Sequence, residues 1–370
     1  MELRYDAAVL HRTQSPLAIE MLSASALRPK DVLVKIGAAG VCHTDLEVIE
    51  GSLRYPLPMI LGHEAAGVVV ETGLEAKGVA VGDHVVLSWN PHCSSCFYCG
   101  RDLPILCEDY QARAPAAYMF DGESRATMAD GRQMRHLMFL GAFSEYCIVA
   151  DQQAIPVSKD IPFDRACLIG CGVMTGVGAA INLKTISYGD TVMVVGCGAV
   201  GLSAVQGARM AGAREIIAVD LSPDKLAIAL RLGATRSINA SNEDVVQTAK
   251  QLTQGRGADA VIEAAGSAVA FRATMEAVRP GGSVIWLGKL DRSSDLTFRW
   301  GSLMQEKRIR RVSYGNARPR RDFPMLAEAY LNGDLLLDEM VTQRLPLEAI
   351  NSGFHDLRAG KGIRSVVVFD

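Results

Sequence analysis

The sequence predicts an α/β protein of two domains, one a small β-barrel or sheet and the other a doubly wound parallel sheet. Three observations lead there. A chain of 370 residues is long for a single core. Its N-terminal third is built of short β-rich segments without a long helical period, such as Ala7-Ala8-Val9-Leu10 and Asp31-Val32-Leu33-Val34-Lys35-Ile36. From Thr191 the texture changes to buried apolar strands that alternate with amphipathic helices.

Composition narrows the function classes. Lys and Arg total 38 against 41 Asp and Glu, which leaves no basic footprint for nucleic acid or an anionic membrane surface. Met1 to Tyr5 carries charge where a signal peptide needs an apolar run, and no apolar stretch reaches the roughly 20 residues of a membrane span. The expectation is a soluble cytoplasmic protein that uses neither nucleic acid nor membrane as a partner. Nine Cys is an odd number, and four crowd into one short segment, which points to metal or redox chemistry more than to disulfides.

In chain order, Gly40-Val41-Cys42-His43-Thr44-Asp45 follows the second strand and sets a thiol, an imidazole, a hydroxyl and a carboxylate side by side. Pro56-Leu57-Pro58 cannot be a helix interior, and Gly62-His63-Glu64 opens a β-branched strand through Val70. Cys93, Cys96 and Cys99, then Cys107, are spaced to close a tetrahedral thiolate shell around a structural zinc with no open position. The flanks of that loop lack basic clustering, which argues against a nucleic-acid module. Residues from Gln111 to Leu140 receive no assignment, and Gly141 to Val149 returns to a strand. Cys167 and Cys171 follow, and spacing does not say which of the two is a ligand.

Thr191-Val192-Met193-Val194-Val195 reads as a buried strand, and Gly196-Cys197-Gly198-Ala199-Val200-Gly201 opens a helix through Met210. Ile216 to Asp220 is the second strand and ends in an acid. Strand, glycines, helix, strand and acid in this order predict a dinucleotide fold, with the glycines admitting the pyrophosphate to the helix N-terminus. Asp220 is placed to accept from the adenosine ribose hydroxyls and would repel a 2′-phosphate, so the expected cofactor is NAD. Helices over 224–232, 245–252 and 268–278 alternate with strands near 237–238, 260–263 and 283–287. A last helix over 323–331 and strands at 342–345 and 365–369 return to the first domain.

Together these motifs resemble the zinc-dependent medium-chain alcohol dehydrogenase family, over essentially the whole chain. The resemblance rests on residues 40–45, Gly62-His63-Glu64, the four-cysteine loop, Gly170-Cys171-Gly172-Val173-Met174-Thr175-Gly176, and Gly196 to Gly201 with Asp220. It implies a GroES-like β-barrel catalytic domain over 1–172 and 314–370 around a Rossmann NAD-binding domain over 173–313. It also implies two Zn2+ per chain.

Residue by residue, the resemblance sets Cys42, His63 and Cys171 on a catalytic zinc with a fourth position open, and Glu64 close by. Such a zinc holds a substrate oxygen as alkoxide, which frees hydride from the adjacent carbon. Asp45 resembles the carboxylate behind His63, and Thr44 the hydroxyl that takes the alcohol proton. Where many relatives end that relay in a His, this chain has Glu47. His43 and Arg364 match positions on the pyrophosphate, Lys225 lies near the adenosine ribose and Thr175 near the nicotinamide. Gly196, Gly198, Val200, Gly201 and Asp220 complete the cofactor set. Leu53, Trp89, Ala112, Phe139 and Leu140 align with the family's substrate channel and are apolar, which suits primary alkyl, allylic or aryl alcohols and their aldehydes.

The alternative within the family is oxidation of an S-(hydroxymethyl) thiol adduct. His43-Thr44 and the region of Val312 to Gly315 and Arg321 to Pro324 resemble mycothiol-dependent members, while Ser52 to Tyr55 lacks the paired acids expected to meet the amino group of glutathione. A non-catalytic zinc or redox-sensing protein on the same fold is the alternative of a different class, and intact Cys42, Thr44, His63 and Cys171 speak against it. The 111–140 segment resembles a loop of the longer, dimeric members, so the expected assembly is a homodimer, with a tetramer as the other option.

Overall fold

The structure is a computed structural model that describes residues 3–291 and 293–370; Met1 and Glu2 of the charged N-terminal segment lie outside the described residues. The chain forms two compact units, residues 1–171 with 318–370, and residues 172–317. The second boundary falls four residues later than the sequence suggests. The reason is local: Asn182 Nδ2 donates to the Gly315 carbonyl at 3.2 Å, and Gly315, at φ +60°, lies so close to Met174 and Gly178 that a β-carbon there would clash.

The first unit is built on two sheets. In the larger, the order is Ala154–Pro156, His84–Leu87, Ala65–Thr72, Asp31–Gly40, Arg364–Val368 and Val341–Leu345, with Tyr146–Ala150 also paired to Asp31–Gly40. The long central strand Asp31–Gly40 therefore carries neighbours drawn from both ends of the chain. Its alternate residues Val32, Val34 and Ile36 bury into one core with Leu61, Val69, Val85 and Phe143. The smaller sheet pairs Leu3–Leu10 with Ala18–Ala24, a strand the sequence pattern did not reveal because its exposed residues, Ile19 and Met21, are apolar while the half-buried Glu20 sits on the face of buried Leu22.

The unassigned 111–140 segment contains the end of a short helix, Glu108–Arg113, two strands of three and two residues, and single helical turns. No element there is long enough to show a period. A salt bridge anchors it: Arg125, 3 % exposed, donates from Nε to Asp31 Oδ2 at 2.8 Å and also pairs with Asp121.

The helical run Phe163–Ile181 is long and apolar enough to cross a membrane, contrary to the expectation that no stretch would be. It is instead a core element, since 78 % of its most apolar window is buried inside the protein. A further helix, Ile350–Arg358, was also not legible in the sequence.

The second unit is a six-stranded, all-parallel sheet in the order Arg236–Asn239, Glu215–Asp220, Thr191–Val195, Ala258–Glu263, Val278–Trp286 and Arg308–Arg311. Helices Ala199–Met210, Pro223–Arg231, Val245–Leu252 and Ala268–Ala277 connect the strands, within a residue or two of expectation. Strand Thr191–Val195 is buried at all five positions, as a strand covered on both faces must be. The order reverses between Thr191–Val195 and Ala258–Glu263, and ligands of such sheets bind outside the carboxyl ends at that point.

Replacing Arg125 would strand the buried Asp31 carboxylate, which keeps only the Arg28 N–H. Arg125→Ala is therefore expected to lower unfolding free energy by about 3 kcal/mol, read by urea denaturation of the first unit's near-UV signal; a loss under about 0.5 kcal/mol, the scale of an exposed pair, would contradict this.

Candidate active site and cofactor fold

Two turns of chain at the end of strand Asp31–Gly40 build the first half of the site. Gly40 must lack a β-carbon, because one there would lie 2.5 Å from Glu64 Oε2. Cys42 then caps the helix His43–Glu50 in extended conformation, and Asp45, in the first turn where the helix dipole favours a carboxylate, accepts from the Cys42 N–H at 3.3 Å. The other Asp45 oxygen accepts from the Gly62 N–H at 2.8 Å and lies 3.3 Å from Nδ1 of His63. One carboxylate thus holds the Cys42 backbone, the Gly62 backbone and the His63 ring together.

The result is a buried cluster. The ligand atoms of Cys42, His63, Glu64 and Cys171 all lie within 4.8 Å of one another. His63 and Glu64 are fully buried, and among the described residues neither His63 Nε2 nor the Glu64 oxygens have a hydrogen-bond partner. An imidazole with Nδ1 against a carboxylate and Nε2 turned without a partner into two thiols is set up as a metal ligand. Two thiols and an imidazole are the protein donor set of a catalytic zinc, and the residues fit that ion.

Electrostatics agree. A hydrogen bond from Cys171 holds the Cys42 thiol well below the usual range despite its burial, with His63 and Arg364 adding to the effect. Burial opposes charge on His63, but Asp45 and Cys42 outweigh it and raise its pKa well above the ordinary value. Burial pushes Glu64 up to about 8, against the pull of Arg364.

The Arg364 guanidinium, expected on the pyrophosphate, is 5 % exposed, donates to the Val41 carbonyl at 2.7 Å and lies 3.3 Å from Glu64 Oε1. It compensates the buried Glu64 charge beside the metal ligands. Cys167 lies outside the cluster, buried, with its thiol donating to the Asp164 carbonyl. Thr44 is buried two residues after Cys42, whereas His43 is exposed at the start of the helix and Glu47 is half-buried one turn on.

The four-cysteine loop forms a second cluster of thiols within 4.8 Å of one another. Backbone N–H groups of Ser95 and Cys96 lower Cys93 to about 6. The set of four thiols suits a zinc closed to substrate. Tyr110, Phe120 and Phe139 cover it, with ring centroids 5.3 and 5.6 Å apart at Phe139. Arg318 clamps its rim through a bidentate pair with Asp102, 2.8 and 2.5 Å.

Of the expected substrate residues, Phe139 and Leu140 are each 1 % exposed, Phe139 packed in the aromatic cover and Leu140 in the barrel core. Ala112 is exposed on its helix. Leu53 and Trp89 stay partly buried against the barrel core.

In the second unit, Gly196 adopts φ +93°, and a β-carbon on Gly201 would lie 1.7 Å from the Gly196 carbonyl. A β-carbon on Gly198 would meet nothing within 4 Å, so the turn is tight on one side and open at its middle glycine, as a backbone cradle for a pyrophosphate requires. Val200 and Lys225 are half-buried in the first turns of their helices, and Thr175 in the first turn of Met174–Ile181. Asp220 accepts from the Cys197 N–H at 2.7 Å and the Ser222 N–H at 2.9 Å, so it fixes the glycine turn while each oxygen keeps a lone pair for a ribose hydroxyl.

Sequence reasoning missed Glu263. Fully buried at the carboxyl end of its strand, it accepts from Ala265 and Gly266 N–H at 2.9 and 2.6 Å, and its other oxygen has no hydrogen-bond partner. Its carbonyl accepts from Leu287 and Gly288. Ala265 in turn lies against Gly196. Glu263 therefore ties together three loops at the switch point. An acid ending a buried apolar strand was the available signal.

Fold and sites together define a metal-dependent, dinucleotide-linked dehydrogenase. Residues 28–159 match the family model of the alcohol dehydrogenase GroES-like domain, and residues 199–332 that of the zinc-binding dehydrogenases. The S-(hydroxymethyl)glutathione dehydrogenase of Paracoccus denitrificans is 37 % identical over 99 % of this chain and all of its own length. Among solved structures, an alcohol dehydrogenase zinc-binding domain protein from Burkholderia ambifaria matches with TM-score 0.96 at 34 % identity, and benzyl alcohol dehydrogenase from Acinetobacter calcoaceticus with 0.94 at 29 %, each over the full length of both chains. The chain belongs to the zinc-dependent medium-chain alcohol dehydrogenase family. It is an oxidoreductase acting on CH–OH donors, with zinc and NAD as its cofactors.

Two substitutions test the cofactor half. Asp220→Gly removes two acceptors from the glycine turn and the charge that repels a 2′-phosphate; NAD is expected to bind about tenfold more weakly and the preference over NADP to fall by at least as much. An unchanged NAD-to-NADP ratio in kcat/KM would make Asp220 a structural acid only. Glu263→Gln keeps the volume but weakens the acceptor, and is expected to weaken NADH binding about tenfold by fluorescence titration; equal affinity would remove Glu263 from cofactor positioning.

Proposed function

We propose that this dehydrogenase oxidises an S-(hydroxymethyl) thiol, the adduct of formaldehyde and a low-molecular-weight thiol, to the S-formyl thioester with NAD as acceptor. The supporting observation is the end-to-end match to a relative named for that reaction, over a chain that keeps the buried Cys42, His63 and Cys171 cluster. Hydride leaves the hydroxymethyl carbon for NAD, and the hydroxyl proton leaves toward Thr44.

Zinc, when bound, supplies a Lewis acid at the position left open by Cys42, His63 and Cys171. The chain's own residues do the rest. Asp45 fixes the ring of His63, so that Nε2 keeps its aim. Thr44 provides a hydroxyl able both to accept and to donate. Arg364 pairs with Glu64, which keeps a third negative charge from building up uncompensated beside two thiolates. The segment Ser52 to Tyr55 carries Arg54 and no paired acids, which favours a thiol whose distal end is not a free ammonium group.

A second reading, oxidation of primary aryl or alkyl alcohols, has its own support. Benzyl alcohol dehydrogenase shares the fold over the full chain, and Leu53 and Trp89 offer apolar surface. Assembly as a homodimer and a reducing, cytosolic site of action belong to the same proposal, since both thiol clusters need reduced sulfur to hold metal.

Steady-state NAD reduction with formaldehyde, in the presence and absence of glutathione and of thiols lacking an amino group, separates the readings. Dependence on added thiol, with kcat/KM at least about tenfold above that for benzyl alcohol, corresponding to about 1.4 kcal/mol in the transition state, is expected. Thiol-independent turnover that favours benzyl alcohol would overturn the proposal. Sedimentation velocity should show a dimer, and a monomer or tetramer would count against that assignment.

A further inference from the structure

The second unit has another opening at the opposite end of its sheet from the glycine turn. A cleft of about 760 Å3 lies where the strands begin, lined by Thr191, Glu215, Arg236, Asp259 and Arg279 from the first or second position of five strands, with Arg214 and Arg256 from the adjoining loops. That volume falls within the roughly 300–1,000 Å3 of small-molecule sites.

Its charge is unusual for a chain of net charge −3. Four guanidiniums face two carboxylates, an excess of two positive charges. Both carboxylates are already engaged: Asp259 pairs with Arg279 Nε at 2.5 Å and accepts from the Thr191 N–H at 2.7 Å, and Glu215 lies 3.7 Å from Arg236. Arg214 and Arg256 form no ion pair among the described residues.

The ordinary role for an arginine at this end of a sheet is to satisfy the carbonyls of a helix C-terminus. Here that role is filled. At the end of Val245–Leu252, the Thr253 hydroxyl donates to the Ala249 carbonyl at 2.7 Å and the Gly255 N–H to Lys250 at 2.7 Å, while Arg256 reaches only the Gln254 side chain at 3.0 Å.

We propose that this cleft is a second ligand site, for a small anion carrying linked phosphate groups such as a nucleoside diphosphate. Planar guanidiniums bind phosphate oxygens in pairs, and two uncompensated guanidiniums match two phosphate groups better than one. The Thr235 and Thr253 hydroxyls in the lining are engaged with the backbone at Ile216, Ala249 and Gly257, so recognition falls to the guanidiniums. The site is separate from the cofactor's pyrophosphate turn, which lies at the carboxyl ends of the same strands.

The test is calorimetric titration of ADP and, separately, inorganic phosphate into the zinc-loaded full-length enzyme already saturated with NADH, so that the dinucleotide site is filled. NADH fluorescence is followed to show that the cofactor stays bound. The expected result is one ADP per chain, bound at least tenfold more tightly than phosphate, with affinity falling at least tenfold in an Arg214→Ala, Arg256→Ala double variant whose NADH affinity is unchanged. Both arginines are exposed, so the variant keeps its fold. No saturable ADP binding, displacement of NADH by ADP, equal binding in the double variant, or phosphate binding as tightly as ADP would each overturn the proposal.

Discussion

The first unit's chemistry depends on one buried carboxylate. Asp45 reaches the Cys42 backbone, the Gly62 backbone and the His63 ring, and so joins two segments that the sequence separates by some twenty residues. Without it a helix start and a strand start would meet only through apolar contacts, which are not directional. With it, a thiol and an imidazole converge with Cys171, and the imidazole is aimed. The electrostatic consequence is a cluster with too much potential negative charge for its burial, and Arg364, from the far end of the chain, compensates it.

The second unit repeats the device at the ends of its strands. Asp220 holds the glycine turn through Cys197, and Glu263 holds the loops on the other side of the switch point. Asp220 through both oxygens and Glu263 through one accept from backbone N–H groups, whose fixed dipoles stabilise a carboxylate without a mobile counter-ion. Cofactor recognition there rests on backbone shape, set by glycines at Gly196 and Gly201 and locked by acids, more than on charged side chains. The cleft at the opposite end has the reverse character, lined by four arginine side chains, three of them exposed.

Much of this was legible in the sequence where local pattern and tertiary role coincide. Strands such as Thr191–Val195 are buried on both faces and read as continuous apolar runs, and the helices between them keep a helical period. The cysteine loop is local, and so was its grouping. The strand Ala18–Ala24 was hidden because one face is exposed and irregular, and the 111–140 segment because its elements are too short to carry a period. The contacts of Arg364 with Glu64 and Val41 were hidden because those partners lie some three hundred residues away, a distance over which pattern carries no information. Phe139 and Leu140 read from the sequence only as apolar, and the structure adds that both are buried, as most large apolar side chains are.

The central claim is that Cys42, His63 and Cys171 form one metal site and the four-cysteine loop another, independent of it. Zinc content per chain, measured by mass spectrometry on the purified protein and on Cys42→Ser, tests this most directly. Two zinc ions in the parent and one in the variant, with NADH binding retained and NAD reduction abolished, is the predicted result. Two ions retained in Cys42→Ser with activity intact, or both lost together, would contradict the account.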